Sequence, residues 1–315
     1  MRIQEQIGYQ LLDDENMAFF KVLGVDDVAV NPGPDMRDNV DRLAYWKEKR
    51  KLVESHGMKL TNVAATGWDE VSLGLPDRDE KIAAWGTMLR NLGAAGIPTL
   101  GYNFKPAGNF RTPSVPIGRG GAKYSTFDYD ELMKKPPHYP DKVRTEAQMW
   151  DSLKYFLERV IPVAEEAGVT MALHPNDPPI QEPLGGTAPI TASLDQFEKA
   201  FSLVPSPRNA MLFCQGCVAE MGEDVPNAIR RIGRQGKIVY VHFRNIRGTP
   251  KKFQEVFLDE GDVDMFRAMQ TYREIGFNGP FMMDHTPNIP GDAGGRLGRA
   301  FAVGYMRALI QAVYR

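Results

Sequence analysis

Val169-Thr170-Met171-Ala172-Leu173-His174-Pro175-Asn176-Asp177-Pro178-Pro179 decides how this chain is read. A short apolar, partly β-branched run stops at a histidine, and Pro, Asn and Asp then prevent the strand from continuing. That is the pattern of a buried strand delivering His174 to its carboxyl end. Three later runs repeat it: 209–213 ends at Cys214, 237–241 at His242 and 279–283 at Asp284. Successive donors stand 40, 28 and 42 residues apart, in keeping with the ~30-residue strand-helix-strand unit from which parallel sheets are built. Parallel strands would gather a His, a Cys, a His and an Asp on one rim, and we read these four as metal ligands.

Working outward, strand patterns recur at 2–8, 26–31, 59–65, 97–103, 169–174, 209–214, 237–243 and 279–284. Helical spacing lies between them, as in Val143, Ala147, Trp150, Leu153, Leu157, Val160, Ile161 and Ala164, with Pro162 expected to kink that helix and Gly168 to end it. Leu194, Phe197, Ala200, Phe201 and Val204 follow a cap at Thr191 or Ser193. A glycine shortly before most strands completes the rhythm of a right-handed βα series. An open doubly wound sheet would show a Gly-rich dinucleotide loop after its first strand, and none is present. The expectation is an α/β fold, a (β/α)8 TIM barrel forming one domain over residues 1–315.

The composition agrees. With 43% hydrophobic and 25% charged residues in 315, the chain can bury a full core. A net charge of -2 offers no footprint for nucleic acid. The first residues carry charge where a signal peptide needs an apolar core, and no run approaches the ~20 apolar residues of a membrane span. A cytoplasmic protein without a membrane partner is expected. Cys214 and Cys217 are the only cysteines, which excludes a disulfide scaffold; Cys-Gln-Gly-Cys has no second pair to complete a structural zinc site.

One connection departs from the rhythm. Residues 104–141 hold six prolines and no steady period. A loop that long is uncommon within a compact domain. Leaving the carboxyl end of a strand, it belongs to the catalytic face of a barrel, and we expect a lid. The excursions 175–190 and 246–261 belong to the same rim.

Several stretches together resemble mannonate dehydratase: Tyr102-Asn103-Phe104 with Phe110-Arg111-Thr112, then Leu173 to Pro179, Phe213-Cys214-Gln215-Gly216, Val241-His242-Phe243-Arg244-Asn245, Glu260-Gly261-Asp262-Val263-Asp264-Met265, and Asp284-His285. They come in the family's order across roughly residues 97 to 310. The resemblance implies a xylose isomerase-like barrel, bound Mn²⁺ or a similar divalent ion, dehydration of D-mannonate to 2-keto-3-deoxy-D-gluconate, and association into a homo-oligomer. It assigns His174, Cys214, His242 and Asp284 as metal ligands and His285 as an acid/base. It also draws Asn103 and Asn245 into the substrate-binding set.

The chain departs from the family in three places. Residues 286–295 lack the tyrosine thought to share the proton transfers, Gln254 stands where a histidine is expected, and 65–70 replaces an acidic motif. Tyr124, in the Gly-rich part of the long loop, is our first candidate for the missing tyrosine, ahead of Tyr102 and Tyr139.

The chemistry can be argued independently of the family. Taking a proton beside a carboxylate builds up an enediolate charge that a divalent cation stabilises as a Lewis acid. One group must then accept the carbon proton and another must protonate the departing hydroxide. His285 adjoins a ligand and so reaches any bound substrate. Arg244, two residues beyond His242, would share its side of the strand and could grip a carboxylate through two parallel hydrogen bonds, as could Arg111 from the long loop. By donor type, Zn²⁺, Fe²⁺ or Co²⁺ would suit these ligands as well as Mn²⁺. Two other functions share the scaffold: a metal-dependent sugar isomerase or epimerase, and a non-catalytic sugar-acid-binding protein.

Overall fold

The computed structural model describes residues 1–33, 42–65, 67–115 and 117–314. Thr66 and Pro116, which belong to two of the loops discussed above, lie outside the described residues. The strands in chain order are β1 (Arg2–Gly8), β2 (Asp27–Asn31), β3 (Lys59–Ala65), β4 (Thr99–Tyr102), β5 (Ser125–Asp128), β6 (Thr170–Leu173), β7 (Asn209–Cys214), β8 (Ile238–His242), β9 (Asn245–Thr249), β10 (Lys252–Val256) and β11 (Pro280–Met282). Eight of them close a parallel barrel in the order β1-β11-β8-β7-β6-β4-β3-β2. These are the eight segments expected from the sequence, trimmed at their ends by a residue or two.

Strands buried on both faces read as continuous apolar runs, and β7 is buried at all six positions. Period-two alternation still divides the two faces. Ala172, Leu212, Cys214, Tyr240 and Met282 point into the barrel and pack together. Met171, Leu173, Phe213, Val241 and Phe281 point out to the helices. Cys214 pairs with His242, and His242 pairs with Met282. The same parity that turns Leu212, Tyr240 and Met282 inward therefore turns Cys214, His242 and Asp284 inward one step higher.

Caps stop and start the helices as the sequence foreshadows. Helix Glu146–Ala167 begins in a capping box between Thr145 and Gln148 and ends at Gly168, whose φ of 68° suits glycine. It runs unbroken through Pro162, because Val160, Ile161 and Ala164 are buried in the layer around it. Ser193 caps helix Leu194–Leu203 through the Gln196 amide at 3.2 Å.

The long excursions are more structured than their composition suggested. β5, from within 104–141, pairs antiparallel with β10, which pairs antiparallel with β9, so two of the loops share a three-stranded sheet. The four-residue Ser125–Asp128 is too short to signal a strand alone. Its partner lies more than a hundred residues away in the chain. No helix among the described residues is long and apolar enough to cross a membrane.

Between barrel and helices, Glu5 on β1 forms an ion pair with Arg299. Burial raises its pKa to about 7, although Arg299 opposes the rise. Between about pH 4.5 and 7 the folded chain thus holds a proton that the unfolded chain has released, so this group's contribution to stability falls as pH rises. Glu5→Gln removes that dependence. Denaturant titrations at pH 5 and pH 8 should show the variant's stability relative to wild type improving by about 2–3 kcal/mol at the higher pH; no change would place Glu5 at its ordinary pKa.

Candidate active site

His174, immediately after β6, donates from Nδ1 to the Pro175 carbonyl at 2.7 Å, which leaves Nε2 as its lone-pair nitrogen. A carbonyl partner of this kind fixes the tautomer of a metal-binding imidazole. The ring centroids of His174 and His242 are 5.3 Å apart. Cys214, His242 and Asp284 offer donor atoms all within 4.8 Å of one another, and Cys214 is equally close to His174. His242 is 3% exposed, yet neither ring nitrogen has a hydrogen-bond partner among the described residues, and Asp284 Oδ1 stands 3.3 Å from its Nδ1. Buried imidazole nitrogens are rarely left without partners. Cys214 is thus common to one group with His242 and Asp284 and to another with His174, and donors of these types fit a divalent cation.

Electrostatics prepare the site in the same direction. Burial opposes ionisation of the Cys214 thiol, but Cys217, Arg244, His174 and His242 together hold its pKa well below the ordinary value. Cys217, also buried, is pushed the other way by burial and by its neighbour Cys214. The surroundings of the Cys-x-x-Cys pair thus favour ionisation at Cys214 over Cys217. Burial likewise opposes ionisation of Asp284, but His242 and His285 keep its carboxyl well below the usual carboxylate range. Asp284 is the one described non-glycine residue with positive φ, 67°. A sparsely populated backbone state at a ligand is strain held in place by its surroundings.

Beneath the ligands lies a group of charges whose arrangement the sequence did not reveal. Arg244 is 1% exposed. Its guanidinium donates to Glu220 at 2.9 Å, to Cys217 Sγ at 3.2 Å, to Cys214 Sγ at 3.6 Å and to Glu255. It does share the inward side with His242 as parity requires, but it faces the protein's own anions instead of the cavity. Arg111 reaches in from the long loop to Asp177 at 2.7 Å and to Glu255. Burial would raise the pKa of Asp177, yet Arg244 and Arg111 hold it at about 2.

Two expectations are corrected. Asn245 donates to the carbonyls of Leu258 and Val263, and its side-chain oxygen accepts from the amides of Ile246 and Val263. Its hydrogen-bonding capacity is spent on pinning a loop, so it is not free to bind substrate. Tyr124 is 2% exposed, donates to Glu260 and packs against Phe257, away from the cavity that holds the ligands. It therefore does not replace the family tyrosine. Gln254 stands on the face of β10 opposite Glu255, and it is Glu255 that meets the arginines.

His174, His242 and Asp284 line a cavity of about 340 Å³, within the ordinary range for a small-molecule site. Asn103 lines it as expected, and so does His285. His285 lies 3.2 Å by Nδ1 from Glu255 Oε2 and 3.4 Å by Nε2 from Asp284 Oδ2. Sequence reasoning missed Gln6, Asp177 and Tyr240 in the lining and Glu220 and Glu255 below it. Asp177 and Glu255 lay within loops already singled out, and Gln6 and Tyr240 within expected strands, where period two could have turned them inward; Glu220 carried no signal.

The model of the D-mannonate dehydratase (UxuA) family matches this chain over residues 37–143 and 133–315. The chain belongs to the D-mannonate dehydratase family. It is similar to "Mannonate dehydratase 2" of Halalkalibacterium halodurans, 31% identical over 305 residues, covering 85% of this chain and 88% of the relative. It is also similar to the mannonate dehydratase of Thermotoga petrophila, 31% identical over 304 residues and covering 84% of each. Among solved structures it resembles the mannonate dehydratase of Streptococcus suis serotype 2, with a TM-score of 0.87, 26% identity, and 99% of this chain and 94% of that one covered. A structure of L-ribulose 3-epimerase superposes with a TM-score of 0.65 at 14% identity, covering 100% of this chain and 96% of that one. That likeness concerns the barrel alone. The mannonate dehydratase of Streptococcus suis thus shares this chain's fold along nearly its whole length.

Proposed function

We propose that the chain is a divalent-metal-dependent hydro-lyase that dehydrates D-mannonate, or a closely related aldonate, to a 2-keto-3-deoxy sugar acid. The observation that carries the reading is the convergence of His174, Cys214, His242 and Asp284 at one end of the cavity, with His285 beside them. A divalent ion held by these four residues would supply the positive charge that stabilises an acid's developing enediolate oxygens.

The chain's own residues supply the rest. Asp177 is held ionised by arginines, and the phenols of Tyr102 and Tyr240 are pushed above their ordinary pKa by burial. Among the described lining residues this leaves His285 as the proton carrier at the cavity mouth. Glu255 and Asp284 flank its two nitrogens and aim the ring. From the long loop Asn109 lines the cavity and Arg111 meets Asp177 and Glu255; in this reading these residues help keep water from the reacting carbons. Mn²⁺ as the ion and a cytoplasmic, self-associating enzyme complete the reading, on the family resemblance alone.

Incubating metal-supplied protein with a panel of aldonates tests it: 2-keto-3-deoxy product is expected from D-mannonate or a stereoisomer. Release of an isomeric sugar would replace the reading with an isomerase, and binding without turnover would replace it with a sugar-acid-binding protein. Cys214→Ala should lower bound metal by roughly a hundredfold in affinity, measured by element-resolved analysis after dialysis. Unchanged metal content would remove Cys214 from the ligand set.

A further inference from the structure

The two cysteines of the chain meet in space. Cys214 ends β7 and is the N-cap of helix Gln215–Glu220, and Cys217 is the third residue of that helix. These are the positions whose side chains meet in a capping box. Here the two sulfurs lie within 4.8 Å of each other, in a group that also holds a ring nitrogen of His174. Both cysteines are free and 0% exposed, and the chain has no other cysteine to compete for either. The proposed dehydration gives Cys214 a task and Cys217 none.

Arg244 holds the pair on one side. Its Nη2 donates to Cys217 Sγ at 3.2 Å and to Cys214 Sγ at 3.6 Å, so both sulfurs turn toward the same nitrogen. A Cβ on Gly216, between the cysteines, would stand 2.4 Å from Arg244 Nε. Glycine at that position lets the guanidinium lie against the turn. A disulfide needs its sulfurs at about 2.0 Å, and the short turn that joins these two keeps the remaining movement local.

We propose that Cys214 and Cys217 are a site of reversible oxidation by a peroxide, which joins them as a disulfide. Cys214 reacts first, because His174, His242 and Asp284, with which it is grouped, line the cavity that a small peroxide enters. Its sulfur bonds to one peroxide oxygen as the O–O bond breaks, and the other oxygen leaves with the thiol proton as water. Cys217 then attacks the resulting sulfenic sulfur; the S–S bond forms, the S–O bond breaks, and the oxygen leaves with the Cys217 proton as a second water. The two thiols together lose two electrons and the peroxide gains them. Loss of metal would follow, a consequence that rests on the reading of Cys214 as a ligand; the disulfide itself does not rest on it.

The full chain is treated with hydrogen peroxide after dialysis against a chelator and, in parallel, with Mn²⁺ present. Mass spectrometry of the peptide holding both cysteines, a thiol count after denaturation and element-resolved metal analysis follow the result. The dialysed chain is expected to lose both thiols together with the mass of two hydrogens, and dithiothreitol to restore them. Mn²⁺ should slow the loss at least about tenfold, because the sulfur electrons that attack are those that ligate. The oxidised chain should hold Mn²⁺ roughly a hundredfold more weakly, with an unchanged circular dichroism spectrum. Cys217→Ala should form no disulfide and carry Cys214 on to the sulfinic acid, which dithiothreitol does not reverse. Thiols that stay free in the wild type, or that oxidise separately with no bond between them, overturn the proposal. A disulfide that forms as fast with Mn²⁺ and leaves metal affinity unchanged upholds the pair and removes Cys214 from the ligand set.

Discussion

His285→Gln should lower turnover of the sugar acid by about 10²–10⁴-fold while leaving the bound metal in place. His285 lines the cavity and meets Asp284 only through that ligand's Oδ2, at 3.4 Å. It stands outside the donor set, so its loss removes proton transfer without opening the metal site. Glutamine keeps a polar group near Glu255 but cannot carry a proton. Steady-state kinetics paired with metal analysis reads both halves of the expectation. Full turnover in the variant would take His285 out of the chemistry, and loss of metal would make it a ligand.

Arg244→Met should destabilise the fold by about 3–5 kcal/mol, the cost of removing one partner from a buried ionic cluster. The guanidinium serves Glu220, Glu255 and both cysteine sulfurs. Methionine fills much of the space and answers none of the charge. The thiolate character of Cys214 depends partly on Arg244, so metal affinity should fall as well. Urea unfolding of wild type, Arg244→Met and the double variant Arg244→Met with Glu220→Gln measures the effect, and the double variant should recover part of the loss. A loss below about 1 kcal/mol would mean that the cluster is solvated.

These two residues also show how far local reading reaches. His285 was legible because it adjoins Asp284 in the chain. Arg244 was legible as inward-facing, since it follows His242 by two residues, but its task was not. Four anionic or sulfur partners from other segments claim its donors before any substrate can. Asn245 illustrates the same limit: its motif placed it near the site, and loop carbonyls at Leu258 and Val263 then occupied it.

By itself the sequence determined the barrel, its strand positions and the rim at which His174, Cys214, His242 and Asp284 meet. Those follow from properties carried along the backbone: an apolar run sets a strand, a Pro or Asp ends it, and period two decides which side a terminal donor faces. The tertiary structure alone decided the β5–β10 pairing, the charge cluster around Arg244, and the contacts that occupy Tyr124 and Asn245. Each of these depends on which distant segments barrel closure brings within hydrogen-bonding reach, and no local pattern encodes that distance.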